Sequence, residues 1–288
     1  MRADHDDHHP DDHQRLARAK RYPYPAPRHA YLFAGGRAYP LSRLGGDPVR
    51  EGRLRDGDAE VDAPDLLARL GAAGAPGLDG RTAVLAHGSN AAPEALARKF
   101  AHLAGADAVI PVLRARLIDL DVVYATHFSS YGSIPSTLAS SPGTEAEVAV
   151  TFLAPSQLAV MHESELGAGN YLHGRLDRAR IVVEGSEPVD GVVAYVTRHG
   201  HLGLTGAPLA LAAIEARGRR FAEAAKIEVL ALVRDHLAPG ADLDRFILET
   251  IHDAGLRRTR SEALRRRAQP FAAPWLSAVS GLGGVGKP

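Results

Sequence analysis

No cysteine occurs in the 288 residues. Disulfides, thiolate zinc sites, iron–sulfur clusters and a cysteine nucleophile are excluded with it. No apolar run approaches the roughly 20 residues that a membrane-spanning helix needs. The opening residues, rich in Asp and His, cannot serve as the apolar core of a signal peptide. An excess of one charge is missing too: 34 Lys and Arg face 34 Asp and Glu. That balance is unlike a protein built chiefly to neutralise phosphates or to coat an acidic membrane. The expectation is a soluble, cytoplasmic protein whose partner is neither nucleic acid nor a membrane.

What is present supports a large fold. The chain is 45% hydrophobic, enough for one sizeable core or two average domains of about 150 residues. The charges are unevenly spread. Residues 1–13 hold Asp4, Asp6, Asp7, Asp11 and Asp12 with His5, His8, His9 and His13. They read as a polar tail before they read as a weak metal site. Near the other end, Arg257, Arg258, Arg260, Arg265, Arg266 and Arg267 make a basic cluster. A solvated helix face is its plain reading, and a patch for an anionic partner is the sharper one.

The pattern along the chain suggests five regions. Residues 1–28 are expected to be a disordered head running into Tyr22-Pro23-Tyr24-Pro25-Ala26-Pro27, and 29–79 an irregular layer with a short helix near 64–71. A mixed α/β core follows over 80–205. It has strand candidates at 82–86, 108–116, 120–126, 133–139, 147–153, 180–184 and 189–197, and helices after Pro93 and Pro155. Residues 206–276 read as a helical extension, with helices at 209–220, 221–236, 243–254 and 261–267, and 277–288 as a flexible tail. Within that tail Gly281-Leu282-Gly283-Gly284-Val285-Gly286-Lys287 imitates the start of a phosphate-binding loop. With no strand before it and Pro288 after the lysine, nucleotide binding is not expected.

Three segments could carry chemistry. The strand 82–86 runs into His87-Gly88-Ser89-Asn90 and a helix, where small residues and a helix N-terminus suit an anion and equally suit plain capping. In Met161-His162-Glu163-Ser164-Glu165-Leu166-Gly167-Ala168-Gly169-Asn170-Tyr171, Glu165 shares a helix face with Leu158 and Met161, whereas Glu163 lies about 160° away from it. A part-buried Glu165 is expected to have a raised pKa and to serve as a general base; a solvated helix end is the alternative. The third segment, Tyr131 to Leu138 followed by Ser141-Pro142-Gly143, reads as a loop leading into a hairpin.

Taken in order, these segments resemble the gamma-glutamylcyclotransferase-like family. The family's Tyr-Gly-Ser-Asn turn appears as His87-Gly88-Ser89-Asn90. Its Gly-x-Ala-Thr-Ile-like strand and Pro-Gly turn appear as Gly132-Ser133-Ile134-Pro135-Ser136-Thr137-Leu138 and Pro142-Gly143. Its acidic motif followed by glycine and tyrosine appears as Glu165, Gly167, Gly169 and Tyr171, and Gly206-Ala207-Pro208 matches a later Gly-x-Pro. The resemblance covers about residues 82–215. It implies an α+β fold, a mixed sheet or small barrel with flanking helices, to which the C-terminal helices are added. It also implies conversion of a gamma-glutamyl amide to 5-oxoproline and a free amine, without cofactor or metal. The substrate's own α-amine is the nucleophile, so holding it in place supplies much of the rate. Glu165 would be the base, with Glu163 the alternative. His87, Gly88, Ser89, Asn90 and Tyr171 would hold the substrate. His87 stands where the family has tyrosine.

Three rival readings remain open. His87 or His127 paired with Ser89 or Ser133 would make a hydrolase, although no Gly-x-Ser-x-Gly motif is present. The same fold could bind a small acidic ligand without catalysis. His199 and His201 could join the N-terminal histidines around a metal. The helices after Pro208 could pack on the core or on another subunit in a homo-oligomer.

Overall fold

The computed structural model describes residues 10–43, 46–177, 180–185, 189, 191–269 and 272–278. The start of the Asp/His head and nearly all of the glycine-rich tail lie outside them. A helix α1 (Pro10–Lys20) stands where the sequence suggests a disordered head. Asp11 and Asp12 begin it and Arg18 and Lys20 end it, each charge matched to the helix dipole. Leu16 and Ala19, one turn apart, are buried against the main core.

The region read as irregular holds two antiparallel hairpins. They are β1 (Tyr31–Ala34) with β2 (Arg37–Pro40), and β3 (Arg53–Asp56) with β4 (Ala59–Asp62). A short helix α2 (Ala63–Arg69) follows, and Leu32, Tyr39, Leu54, Leu66 and Leu67 form a small core of their own.

The main sheet is built around β5 (Thr82–Ala86), which leads into α3 (Pro93–Lys99). Two long strands come next, β6 (Ile110–Tyr124) and β7 (Ser136–Leu153), each covering two of the expected short strands. They stay paired because the interruption is absorbed as a bulge. The register shifts between Ile118 and Leu120, where Asp119 takes φ 56° and Gly143 opposite takes φ 85°. Pro142 sits in that unpaired stretch, so its missing N–H costs no ladder bond. Ser141-Pro142-Gly143 therefore lies within a bent strand and does not end one.

Helix α4 (Pro155–Leu166) and the strands β8 (Tyr171–Leu176), β9 (Ile181–Val183) and β10 (Val193–Thr197) complete the central region. The strands β11 (His201–Leu202), β12 (Leu209–Leu211), β13 (Ala216–Arg217) and β14 (Ala222–Ala224) follow. The chain ends in α5 (Lys226–Leu237), α6 (Leu243–His252), α7 (Ala254–Arg265), β15 (Ala268–Gln269) and β16 (Leu276–Ala278). The sheet order is β14-β12-β6-β7-β5-β10-β8-β16. β5 pairs antiparallel with β7 and parallel with β10, so the fold is mixed α+β. Both of its faces are buried: Ala83 and Leu85 face a core shared with α1, α5 and α6, while Val84 and Ala86 face Leu96 and Met161 on α3 and α4. No helix among the described residues is long and apolar enough to cross a membrane.

The expected helix at 209–220 is replaced by strands. Ala- and Leu-rich sequence favours helix locally, but here it adds an edge to β6, and tertiary pairing overrides propensity. The loop between β13 and β14 is tied down by Arg219, whose Nε and Nη2 donate to the two oxygens of Asp121, each at 3.0 Å. Asp121 has no exposed surface. Arg219→Ala should lower the unfolding free energy in urea by about 3–5 kcal/mol, because it strands a buried charge. Asp121→Leu together with Arg219→Met should cost clearly less.

Candidate active site

Glu165 is the last-but-one residue of α4, and Lys99 is the last of α3. Gln157 fixes the entry to α4: its Oε1 accepts from the Ala154 amide at 2.9 Å, and its amide donates to the carbonyls of Asp107 and Val109. Met161, fully buried, anchors the next turn. One turn further, Glu165 reaches the same region from the edge of that apolar face. Its Oε1 accepts from Lys99 Nζ at 2.7 Å and from Asn90 Nδ2 at 3.1 Å. Lys99 Nζ also donates to Asn90 Oδ1 at 2.9 Å. The three side chains close a triangle, and both charged members are more than four-fifths buried.

The electrostatic outcome corrects the raised pKa expected from burial. Burial does push the Glu165 carboxyl up, but the Lys99 ammonium, its hydrogen bond and that of Asn90 outweigh it. The group is held below the ordinary carboxylate range. Glu163 is exposed, and both glutamates border the same cavity.

The turn at Gly88 also differs from a simple helix start. Ser89–Ala91 forms a 3-10 turn, α3 begins only at Pro93, and Asn90 directs its side chain at the acid. His87 is buried behind it. Its Nε2 lies 2.9 Å from the Tyr195 carbonyl, which only accepts, so that nitrogen carries the proton. Burial lowers the His87 pKa and keeps the ring neutral, leaving Nδ1 to accept from Ser136 Oγ at 3.1 Å. Tyr22 Oη then donates to Ser136 Oγ at 2.7 Å while accepting the Ser136 amide at 2.9 Å. One directional chain, Tyr22 to Ser136 to His87 to the Tyr195 carbonyl, results.

Tyr22 comes from the head expected to be disordered. Its ring packs near Tyr24 and Tyr131 and has the Lys226 ammonium 4.6 Å from its centroid. Burial raises its phenol to about 12. Lys226, at the start of α5, is buried, and desolvation pushes it well below the ordinary lysine value. Tyr171 stacks edge-on against His127 with centroids 5.3 Å apart, and burial raises its phenol strongly.

The sequence-selected residues thus converge. His87, Gly88, Ser89, Asn90, Glu163, Glu165 and Tyr171 all line one cavity of about 990 Å³. The histidine–serine pairs suggested by sequence do not form: His87 pairs with Ser136, while His127 Nδ1 and Ser133 Oγ have no hydrogen-bond partner. Among the described residues no group of three or more His, Asp or Glu could hold a metal. His199 and His201 lie within the described residues, and His5, His8 and His9 lie outside them. Sequence reasoning missed Lys99, Tyr22 and Ser136. A helix entering just after Asn90 returns Lys99 to that turn, which was a usable signal. Nothing in a Tyr-Pro run announces Tyr22.

Gly88 is required by crowding. A Cβ there would sit 2.4 Å from Tyr22 Oη and 2.6 Å from Ser136 Oγ. Gly88→Ala should therefore break the Tyr22–Ser136–His87 chain and destabilise the protein by about 1–3 kcal/mol in chemical denaturation.

No protein-family model matches this sequence, and no curated protein matches it. Among solved structures, a chain described as a gamma-glutamyl cyclotransferase is similar at 19% identity with a TM-score of 0.30. The similar region covers 41% of this chain and 66% of that one.

Proposed function

We propose that this cavity carries out gamma-glutamyl cyclotransfer, releasing 5-oxoproline and an amine. The reading is supported above all by one observation: the Glu165 carboxylate and the Gly88–Asn90 turn share one cavity, joined through the Asn90 side chain. In this reading the backbone of the turn receives the substrate's α-carboxylate. Glu165, held ionised by Lys99, takes a proton from the α-ammonium. The freed α-amine attacks the γ-carbonyl carbon, and the bond from that carbon to the leaving nitrogen breaks as Glu165 returns its proton to that nitrogen. The ring nitrogen then gives up its second proton through the regenerated carboxylate to the departing amine, which leaves as an ammonium ion. No protein nucleophile takes part. The chain's work is positioning, proton transfer and exclusion of water. His87, with both ring nitrogens engaged, supports Ser136 and leaves substrate contact to the turn.

Incubation with a panel of gamma-glutamyl amides should release 5-oxoproline. Glu165→Gln should reduce that release by about 10²–10⁴-fold with the fold retained, as judged by circular dichroism. Glu163→Gln should leave most of it. Loss in Glu163→Gln alone would transfer the role of base.

The pH profile adds a sharper check. A carboxyl with a lowered pKa stays ionised further into acid, so the acid limb of kcat/KM should lie below the ordinary carboxylate range. In Lys99→Met only the Asn90 hydrogen bond is left of this triangle to oppose burial, so the Glu165 pKa rises and the limb should move to higher pH.

The Ser136–His87 contact favours a second reading, acyl transfer through Ser136. A fluorophosphonate probe distinguishes them. Covalent labelling of Ser136, together with loss of turnover in Ser136→Ala, would support this reading against cyclotransfer.

A further inference from the structure

Helix α7 forms one wall of the cavity, with Arg258 and Arg265 seven residues apart on one face. Ser261 between them seats the helix: its hydroxyl accepts from the Phe128 amide at 3.1 Å and donates to the Arg257 carbonyl at 2.7 Å. His127, 2% exposed, is thereby brought to the same wall. Asn170, just before β8, and Tyr171, its first residue, border the same cavity.

The basic cluster of the sequence divides by role in this arrangement. Arg260 is buried over the Phe246 ring at 3.9 Å and bonded to Glu249 and Thr250, and Arg257 caps the carbonyls of Thr250 and Ile251. Arg265 and Arg258 border the cavity, Arg258 with its charge also acting on Asp253 at the start of the helix. Among the described residues neither has a carboxylate partner within salt-bridge distance, and Arg265 makes one hydrogen bond, from Nη2 to Asn170 Oδ1 at 2.8 Å. Its Nε is buried without a partner, and so is Nδ1 of His127. Unpaired buried nitrogens are costly and rare without a ligand or water to satisfy them. Burial, and then the charges of Arg265 and His199, drive the His127 pKa down to about 3. Basic groups crowd this wall; Glu262 on it is exposed, and the Glu165 carboxylate, whose charge reaches His127, is paired with Lys99.

The geometry points to an oxyanion-binding subsite formed by Arg258, Arg265 and His127, which takes a phosphate or carboxylate group on the distal part of the cavity's ligand. Guanidinium groups match both anions in a forked geometry. A cavity of about 990 Å³ leaves room for a ligand held at both ends. The subsite uses α7, which lies beyond the stretch that resembles the cyclotransferase-like family. Its consequence for the leaving amine, that this amine carries the anion, rests on the cyclotransfer reading. The binding itself does not.

Calorimetric titration of the full chain at constant ionic strength tests it, with inorganic phosphate in one arm and succinate in the other. Saturable binding of either anion is expected, and the stronger arm identifies the group. Arg265→Gln and the exposed Arg258→Gln should each weaken binding at least about tenfold. Ring signals of His127 in NMR should shift as the anion saturates. The proposal fails if neither anion binds saturably, if both variants bind as the unaltered protein does, or if the His127 signals do not move. Should Arg265→Gln not fold, Arg258→Gln and the His127 signals decide. Catalysis is not measured in these experiments, so their failure is distinct from failure of the cyclotransfer reading.

Discussion

A largely buried carboxylate needs a partner, and the ion pair between Glu165 and Lys99 is the interaction on which the site depends. It joins the end of α4 to the end of α3, and through Asn90 it joins both to the turn that follows β5. Without Lys99, burial would favour the protonated acid, and the three elements would lose their common contact. The same pair holds the Glu165 carboxyl below its ordinary pKa, so it stays ionised further into acid. In the proposed reaction such a group works by proximity to its proton donor more than by basicity.

The sheet makes that meeting possible. β5 has neighbours on both sides and helices over both faces, so its end is a fixed point in the molecule. β7 supplies Ser136 at its first residue, directly behind His87, and β10 supplies the Tyr195 carbonyl that sets the His87 tautomer. Three strands therefore contribute to one hydrogen-bond chain, and the N-terminal segment closes it with Tyr22. Helix α1, packed on the C-terminal helices, holds that tyrosine in place. Residues of α1, of the segment after it and of α7 thus border the cavity, although the residues with family resemblance lie between them.

Much of the site was legible because its residues are close in sequence to strong local signals. A short apolar strand ending in Gly-Ser-Asn and a helix face carrying Leu158, Met161 and Glu165 need no tertiary information. The errors have a common cause. Tyr22 and Ser136 act through contacts spanning 114 residues, which no local pattern encodes. The Ala- and Leu-rich 209–220 segment looks helical by propensity, and only the free edge of β6 makes it a strand. Burial alone would raise the Glu165 pKa; the Lys99 ammonium, brought from another helix, lowers it instead.

The sequence by itself determined the chemical inventory. Absence of cysteine removes thiol chemistry, and the small-residue turn and the acidic helix end are legible in the sequence itself. Only the tertiary structure decided how those groups behave. A carboxylate's charge state, a histidine's tautomer and an arginine's availability depend on what lies within about 4 Å. In this fold those neighbours come from distant parts of the chain.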